Sequence, residues 1–288
     1  MTKIIDGKAL AQKKIALLAS KIQALDKKPC LSIILVGTNE ASQIYVNNKI
    51  KKAKEIGIEV KLIKLSESIS GSELLSHIEI CNKNNDVNGI IVQLPLPSHI
   101  DNRNIISAID PSKDVDGFHQ INIGMLYSGQ EPFFVPCTPL GILDIIKDNF
   151  IELSSLHAVI IGRSNIVGRP LASLLLKHDL TVTICHSKTK NLSELTKKAD
   201  IVISATGQIE SLGKEYFSPH SFVIDVGINR KKDGKITGDV KFDELNGFIK
   251  ALTPVPGGVG PLTIANLMSN TLKAKAGKFY KLSSELME

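Results

Sequence analysis

The chain has 288 residues, 43% hydrophobic and 22% charged, with a formal net charge of +6 and a pI near 9.0. These values exclude an intrinsically disordered chain and leave room for two modest domains. No apolar run is long enough to cross a bilayer, and the lysines lack the arginine–aromatic clustering of a nucleic-acid surface. In chain order, residues 6–25 carry Leu10, Ile15, Leu18 and Ile22 at helical spacing. Leu31–Gly37 reads as a strand ending at a glycine. Asn39–Ile56 is a polar-rich helix with Gly57 as its C-cap. Residues 58–65 alternate Ile58, Val60 and Leu62 as a second strand, and residues 72–84 are helical. Gly89–Leu94 is a third strand, stopped by Pro95 and Pro97. This β-α-β-α-β order predicts a parallel three-layer unit.

Asp110–Pro139 concentrates loop signals: Asp-Pro, Asp-Gly, Gly124, Gly129, Pro132, Pro136 and Pro139. It reads as the passage between domains. A helix from Pro139 to Asn149 opens the second domain. Strands at 158–161, 181–185, 201–205 and 221–227 then alternate with helices at 170–178 and about 192–197. A long helix over 262–282 follows the Pro254–Pro261 loop, with Leu262, Leu267 and Leu272 to bury. The expected fold class is α/β, with two three-layer α/β/α domains, the second Rossmann-like, and a ligand cleft between them. The expected boundaries are 1–138, joined by a C-terminal helix at 270–288, and 139–269.

The turn after strand 158–161 reads G-x-S-x-x-x-G-x-P, from Gly162 through Ser164 and Gly168 to Pro170. A strand feeding a helix through glycine aims free N–H groups at an anion, usually a phosphate. The spacing matches the dinucleotide fingerprint only loosely, and an ordinary tight strand–helix connection has the same pattern. Other strands of this domain end at His186-Ser187-Lys188, Thr206-Gly207 and Gly227. Carboxyl ends of strands line the ligand crevice of a doubly wound sheet. No acidic residue follows strand 181–185 to bind an NAD ribose. Ser187 and Lys188 there, with Arg163 in the glycine turn, suit a 2′-phosphate and hence NADP. His186 by itself reads as a plain surface histidine.

In the first domain, Tyr45 and Lys49 are spaced i, i+4 on one helix face. Y-x-x-x-K also occurs in short-chain dehydrogenases, where it follows the nucleotide fold on the same domain. Here it precedes Gly162, so it belongs to a separate substrate domain or is a chance pair. Gln93 stands at a strand's carboxyl end. Asp114 and Asp116 suit a metal, a turn cap, or a ring edge donating two parallel N–H bonds. The cysteines Cys30, Cys81, Cys137 and Cys185 lie far apart, which argues against zinc and fits a reducing compartment. Met1–Lys8 has no signal-peptide core, so a cytoplasmic location is expected. No metal is expected.

Six segments occur together in a characteristic order. They are Tyr45–Lys49, Val92–Pro97, Lys113–Phe118, Pro136–Pro139, Gly162–Pro170 and Thr253–Pro261. With them the chain closely resembles the bifunctional methylenetetrahydrofolate dehydrogenase/methenyltetrahydrofolate cyclohydrolase family over nearly its whole length. The resemblance implies oxidation of 5,10-methylenetetrahydrofolate by NADP+ to 5,10-methenyltetrahydrofolate, then hydrolysis to 10-formyltetrahydrofolate. It implies that Tyr45 stacks on the pterin side, Asp116 holds the pterin amino edge, Lys49 is the central catalytic group and Gln93 orients it. Leu94, Pro95, Gly260 and Pro261 fall on the folate side. Gly162, Arg163, Ser164, Ser187, Thr206, Gly207, Gly227 and Ile228 fall at cofactor positions. The family is usually homodimeric, and its tetrahydrofolate substrates include polyglutamylated forms. Neither nucleic acid nor membrane is an expected partner. A monofunctional dehydrogenase and a non-catalytic folate- or nucleotide-binding regulator are the competing readings. The intact Tyr45, Lys49 and Gln93 set and the 254–261 loop speak against both.

Overall fold

The computed structural model describes residues 1–277. The first half runs β1 (Lys3–Ile4), α1 (Gly7–Gln23), β2 (Cys30–Val36), α2 (Glu40–Glu55), β3 (Glu59–Leu65), α3 (Gly71–Lys83), β4 (Gly89–Val92), α4 (Asn102–Ser107), α5 (Gln120–Tyr127) and α6 (Cys137–Asn149). Next come β5 (His157–Ile161), α7 (Gly168–Leu176), β6 (Thr181–Cys185), α8 (Leu192–Lys197), β7 (Ile201–Ser204) and β8 (Phe222–Asp225). The chain closes with β9 (Asn229–Arg230), β10 (Ile236–Thr237), α9 (Phe242–Leu245), β11 (Ala251–Leu252) and α10 (Val259–Ala276). Residues 278–288, which the sequence reading gave to the closing helix, lie outside the described residues. Two compact units result.

One unit holds Lys13–Cys137 and the chain from Ile264 on. Its sheet is parallel in the order β3-β2-β4, with Leu31 opposite Val60 on one side and Gly89 on the other. Every residue of β2 is buried, as a strand covered on both faces requires. Ile34, Leu74, Ile78, Ile90, Val92 and Ile105 form one core cluster. Helix α3 starts at a capping box, Ser70 with Glu73, which satisfies two orphan N–H groups.

Residues 110–137 are not an open passage. They pack into this unit, with Val115, Leu126, Phe134 and Cys137 buried. Buried Asn122, on α5, ties the irregular backbone on either side of that helix. Its Nδ2 donates to Pro111 O at 3.1 Å and to Asp114 Oδ2 at 3.0 Å, and its Oδ1 accepts from Phe134 N at 3.3 Å. Asn270 on α10 does the same from the far end of the chain, donating to Val115 O at 2.9 Å and Val135 O at 3.2 Å.

The other unit holds Met1–Gln12 and Thr138–Thr263. Its six-stranded parallel sheet runs β1-β11-β8-β7-β5-β6. Strand β5 lies between β6 and β7, so the strand order reverses at its edge, the switch point where such sheets bind ligands. The core includes Val159, Ile161, Val202, Phe217, Val223 and Leu252. Residues 1–12 belong here, not with residues 13–137. Lys3 N and Ile5 N donate to Lys250 O and Leu252 O at 3.0 and 2.9 Å, adding β1 as an edge strand.

Candidate functional site

Helix α2 follows β2 through Gly37 and is capped by Asn39, whose side chain accepts from Ser42 N at 3.0 Å. Ser42, Val46, Lys49 and Ala53 are its buried residues, one stripe at helical spacing. Lys49 is thus a lysine on an inward face, 8% exposed. A buried amine needs a partner, and Lys49 Nζ donates to Gln93 Oε1 at 3.1 Å. Gln93 is fixed in turn. It follows the last residue of β4, its N–H donates to Ile34 O at 2.9 Å, and its Nε2 donates to Leu94 O at 2.6 Å. The amide therefore turns its oxygen, an acceptor, toward Lys49. Tyr45, one helical turn earlier, is half-buried, and burial pushes its phenol up.

Asp116 sits in a turn closed by Gly117 N donating to Asp114 O at 2.9 Å. Gly117 has φ +76, and a Cβ there would lie 2.7 Å from Val135 C and Pro136 N, so only glycine fits. Asp114 caps this loop from inside. Its Oδ2 accepts from His119 N at 2.7 Å and Asn122 Nδ2 at 3.0 Å. Burial pushes the Asp114 carboxyl up to about 7, against the donated hydrogen bonds and with some help from Asp116. Cys137 registers the whole group. Burial pushes its thiol well up, Asp116 and Asp114 push the same way, and Lys49 opposes them. The Cys137 Sγ donates to Val115 O at 3.3 Å, which sets beside Asp116 a buried thiol that the residue reading had not singled out. Its signal was the Pro136-Cys137-Thr138-Pro139 segment.

In the six-stranded unit the candidates line the carboxyl ends of β5 to β8. Gly162, with φ +139, leaves β5, and a Cβ there would fall 2.4 Å from Ala205 O. Gly168 opens α7, and a Cβ there would fall 2.1 Å from Gly162 O. Both positions bring backbone against backbone. Ser164 Oγ accepts from Val167 N at 3.2 Å and Gly168 N at 3.5 Å, which leaves its hydroxyl hydrogen for a ligand. No acidic residue stands in the first turn of α7, so an anion meets only the positive end of the helix.

Beyond β6, His186 Nδ1 accepts from Lys188 N at 3.1 Å, and the His186 backbone N–H donates to Thr189 Oγ1 at 2.9 Å. The histidine builds a turn that leaves Ser187 exposed. Arg163 is exposed as well, with its carbonyl held by Arg169 Nε at 3.2 Å. Thr206 and Gly207 follow β7. Gly227 and half-exposed Ile228 follow β8. Gly260 and Pro261, expected on the folate side, lie in this unit at the start of α10. A Cβ on Gly260 would touch Ile228 Cδ1 at 4.0 Å. The glycine cradle, the positive helix start, and a hydroxyl and cations in place of an acid fit a phosphorylated dinucleotide.

Comparison with known proteins agrees. Residues 5–116 match the catalytic domain of the tetrahydrofolate dehydrogenase/cyclohydrolase family, and residues 136–279 match its NAD(P)-binding domain. A relative from Rickettsia massiliae, named bifunctional protein FolD, is 54% identical over 98% of this chain and 99% of its own. The crystal structure of bifunctional FolD methylenetetrahydrofolate dehydrogenase/cyclohydrolase from Campylobacter jejuni has a TM-score of 0.93 at 47% identity, covering 96% of this chain and 100% of that one. The Trypanosoma brucei methylenetetrahydrofolate dehydrogenase-cyclohydrolase, solved with NADP cofactor and an inhibitor, has a TM-score of 0.91 at 33% identity, covering 97% and 99%. The chain belongs to the tetrahydrofolate dehydrogenase/cyclohydrolase family.

Proposed function

We propose that this protein oxidises 5,10-methylenetetrahydrofolate with NADP+ and hydrolyses the 5,10-methenyltetrahydrofolate formed to 10-formyltetrahydrofolate. The observation that carries this reading is the buried Lys49–Gln93 pair, at 3.1 Å, in the unit that also holds Asp116. Residues 13–137 with the chain from Ile264 are the folate-binding unit, and residues 138–263 with the first twelve residues are the NADP-binding unit. NADP+ supplies the hydride acceptor. Arg163 and Ser187 take its 2′-phosphate. The helix start at Gly168 and the Ser164 hydroxyl take phosphate oxygens, with Gly162, Thr206, Gly207, Gly227 and Ile228 around them.

On the folate, Asp116 accepts two N–H bonds from the pterin amino edge. Tyr45 stacks on the ring system, and Leu94 and Pro95 line it. Loss of hydride from the methylene carbon leaves a cationic, amidine-like methenyl group, so this step needs alignment more than a base. Hydrolysis needs proton management. Water oxygen bonds the methenyl carbon while Lys49 Nζ, oriented by Gln93, takes one proton. The bond from that carbon to N5 then breaks, the second proton ends on N5, and the formyl group stays on N10.

The protein acts in the cytoplasm as a homodimer, on tetrahydrofolates that include polyglutamylated forms. The four free, buried cysteines suit a reducing compartment. A single assay tests the reading: purified protein, 5,10-methylenetetrahydrofolate and NADP+, with NADPH and methenyl absorbance followed together. NADPH should accumulate while methenyl absorbance rises and then decays faster than without protein. No NADPH would overturn the reading. Methenyl decay at the spontaneous rate would leave a monofunctional dehydrogenase.

A further inference from the structure

Two carboxylates, Asp225 and Asp239, stand buried behind the candidate cofactor loops. Asp225 ends β8. Its Oδ1 accepts from Gly227 N at 2.9 Å and Asp239 N at 3.0 Å, and its Oδ2 accepts from Val240 N at 3.0 Å. Asp239, fully buried, faces the other way. Its Oδ2 accepts from Ser204 Oγ at 3.0 Å, Thr206 N at 2.6 Å and Gly207 N at 3.3 Å. Its Oδ1 accepts from Asn229 Nδ2 at 2.9 Å. Asp239 thereby ties the loop after β7 to the start of β9, directly beyond the loop after β8, and Asp225 holds that second loop at Gly227. Those loops carry Thr206, Gly207, Gly227 and Ile228.

Two glycines follow from this pair. A Cβ on Gly227 would lie 2.3 Å from Asp239 Oδ1, and one on Gly238 would lie 1.8 Å from Asp225 Oδ2. Gly227 is therefore glycine because a carboxylate needs the space, whatever it does toward a ligand. An amide cannot replace Asp239. Donors approach both of its oxygens, and an asparagine NH2 would face a donor whichever way it turned.

We propose that Asp239 is a positioning residue of the dinucleotide site, holding the loops after β7 and β8 in the shape that receives NADP+, while Asp225 fixes the backbone of Asp239. This rests on the reading of the crevice as an NADP site. The role predicts a split that a general stability role does not produce. NADP+ binding depends on the two loops, whereas hydrolysis of methenyltetrahydrofolate depends on Lys49 and Gln93 in the other unit.

The experiment measures NADP+ binding by calorimetry on the full-length protein without folate, and methenyltetrahydrofolate hydrolysis without NADP+. Both are run on wild type and Asp239→Asn at a temperature where circular dichroism shows each fully folded. Asp239→Asn should weaken NADP+ binding by at least about tenfold, the effect of losing a charge-assisted hydrogen bond and leaving a donor unpaired. Its kcat and KM for hydrolysis should stay at the wild-type values. Unchanged NADP+ affinity overturns the proposal, and so does a parallel loss of hydrolysis. Should Asp239→Asn fail to fold, Ser204→Ala and Asn229→Ala each remove one donor and should weaken NADP+ binding more mildly. Wild-type affinity in both overturns the proposal. A wild-type protein that binds no NADP+ overturns the functional reading itself.

Discussion

The two units solve the same problem, presenting polar chemistry at the carboxyl ends of parallel strands, by different means. In the three-stranded unit the chemistry sits on side chains. Lys49 comes from the buried face of α2, Gln93 from the end of β4 and Asp116 from a glycine turn. In the six-stranded unit it sits mostly on the backbone. Glycines at 162 and 168 permit close approach, and buried Asp239 draws the N–H groups of Thr206 and Gly207 inward. The difference teaches where each unit is fragile. A side-chain site loses its reaction when one side chain goes. A backbone site has no single group to remove, so it weakens in steps.

Lys49→Gln is the sharpest break of that comparison. Removing a positioned proton acceptor should slow hydrolysis by about 10²–10⁴-fold, while NADP+ still binds and measurable dehydrogenase activity survives. Hydrolysis by the purified variant at the wild-type rate, after subtracting the spontaneous reaction, would take the lysine out of the mechanism. Arg163→Ala, in the backbone site, should do less. We expect NADP+ binding to fall roughly ten- to hundredfold, the range for one hydrogen bond to a charged group, and NAD+ binding to change much less. Equal loss for both cofactors would place Arg163 away from the 2′-phosphate. Gly168→Ala tests the backbone itself. Its Cβ would lie 2.1 Å from Gly162 O, and overpacking of this kind typically costs about 1–3 kcal/mol. Thermal melts should show that loss, with weaker NADP+ binding at temperatures where the variant is folded.

Long elements were legible because their patterns are long. Apolar runs and helical periods place β2 to β8 and the major helices within a few residues of where they lie. Strands β1 and β11 have two residues each, too short for any period, and they become strands through pairing with sequence-distant neighbours. Helix α5 was hidden by Gly124 inside it and by the prolines after it. Its place is fixed by Asn122 and Asp114, whose burial no local pattern reveals. Residue types alone left Tyr45 and Lys49 as a possible chance pair. The family resemblance, and then the 3.1 Å contact of Lys49 with Gln93, gave the pair its place. Asp225 and Asp239 had no signal at all, because the groups they hold are mostly backbone N–H groups and match no motif.

The smallest expected effect compares the units through their buried acids. Burial raises Asp114 from 3.8 to about 7 in one unit and Asp225 from 3.8 to about 6 in the other. A carboxyl raised on folding binds its proton more tightly in the folded chain. The stability it contributes is therefore full below the unfolded value and is lost as pH rises through the folded value. In the folded chain each carboxyl is half ionised at its own value, Asp225 near pH 6 and Asp114 near pH 7, and the loss of stability tails off over about one further pH unit. Between these values Asp114 contributes the steeper change of the two, and one proton gives a slope of at most about 1.4 kcal/mol per pH unit. Asp114→Asn keeps an oxygen for His119 N and Asn122 Nδ2 but cannot ionise. Urea unfolding from about pH 5 to pH 8 should give a variant-minus-wild-type curve that keeps rising between pH 6 and 7. The corresponding curve for Asp225→Asn should flatten about one pH unit earlier, and activity at neutral pH should barely change in Asp114→Asn. Two curves that level at the same pH would show that the acids titrate alike, and would remove this difference between the units.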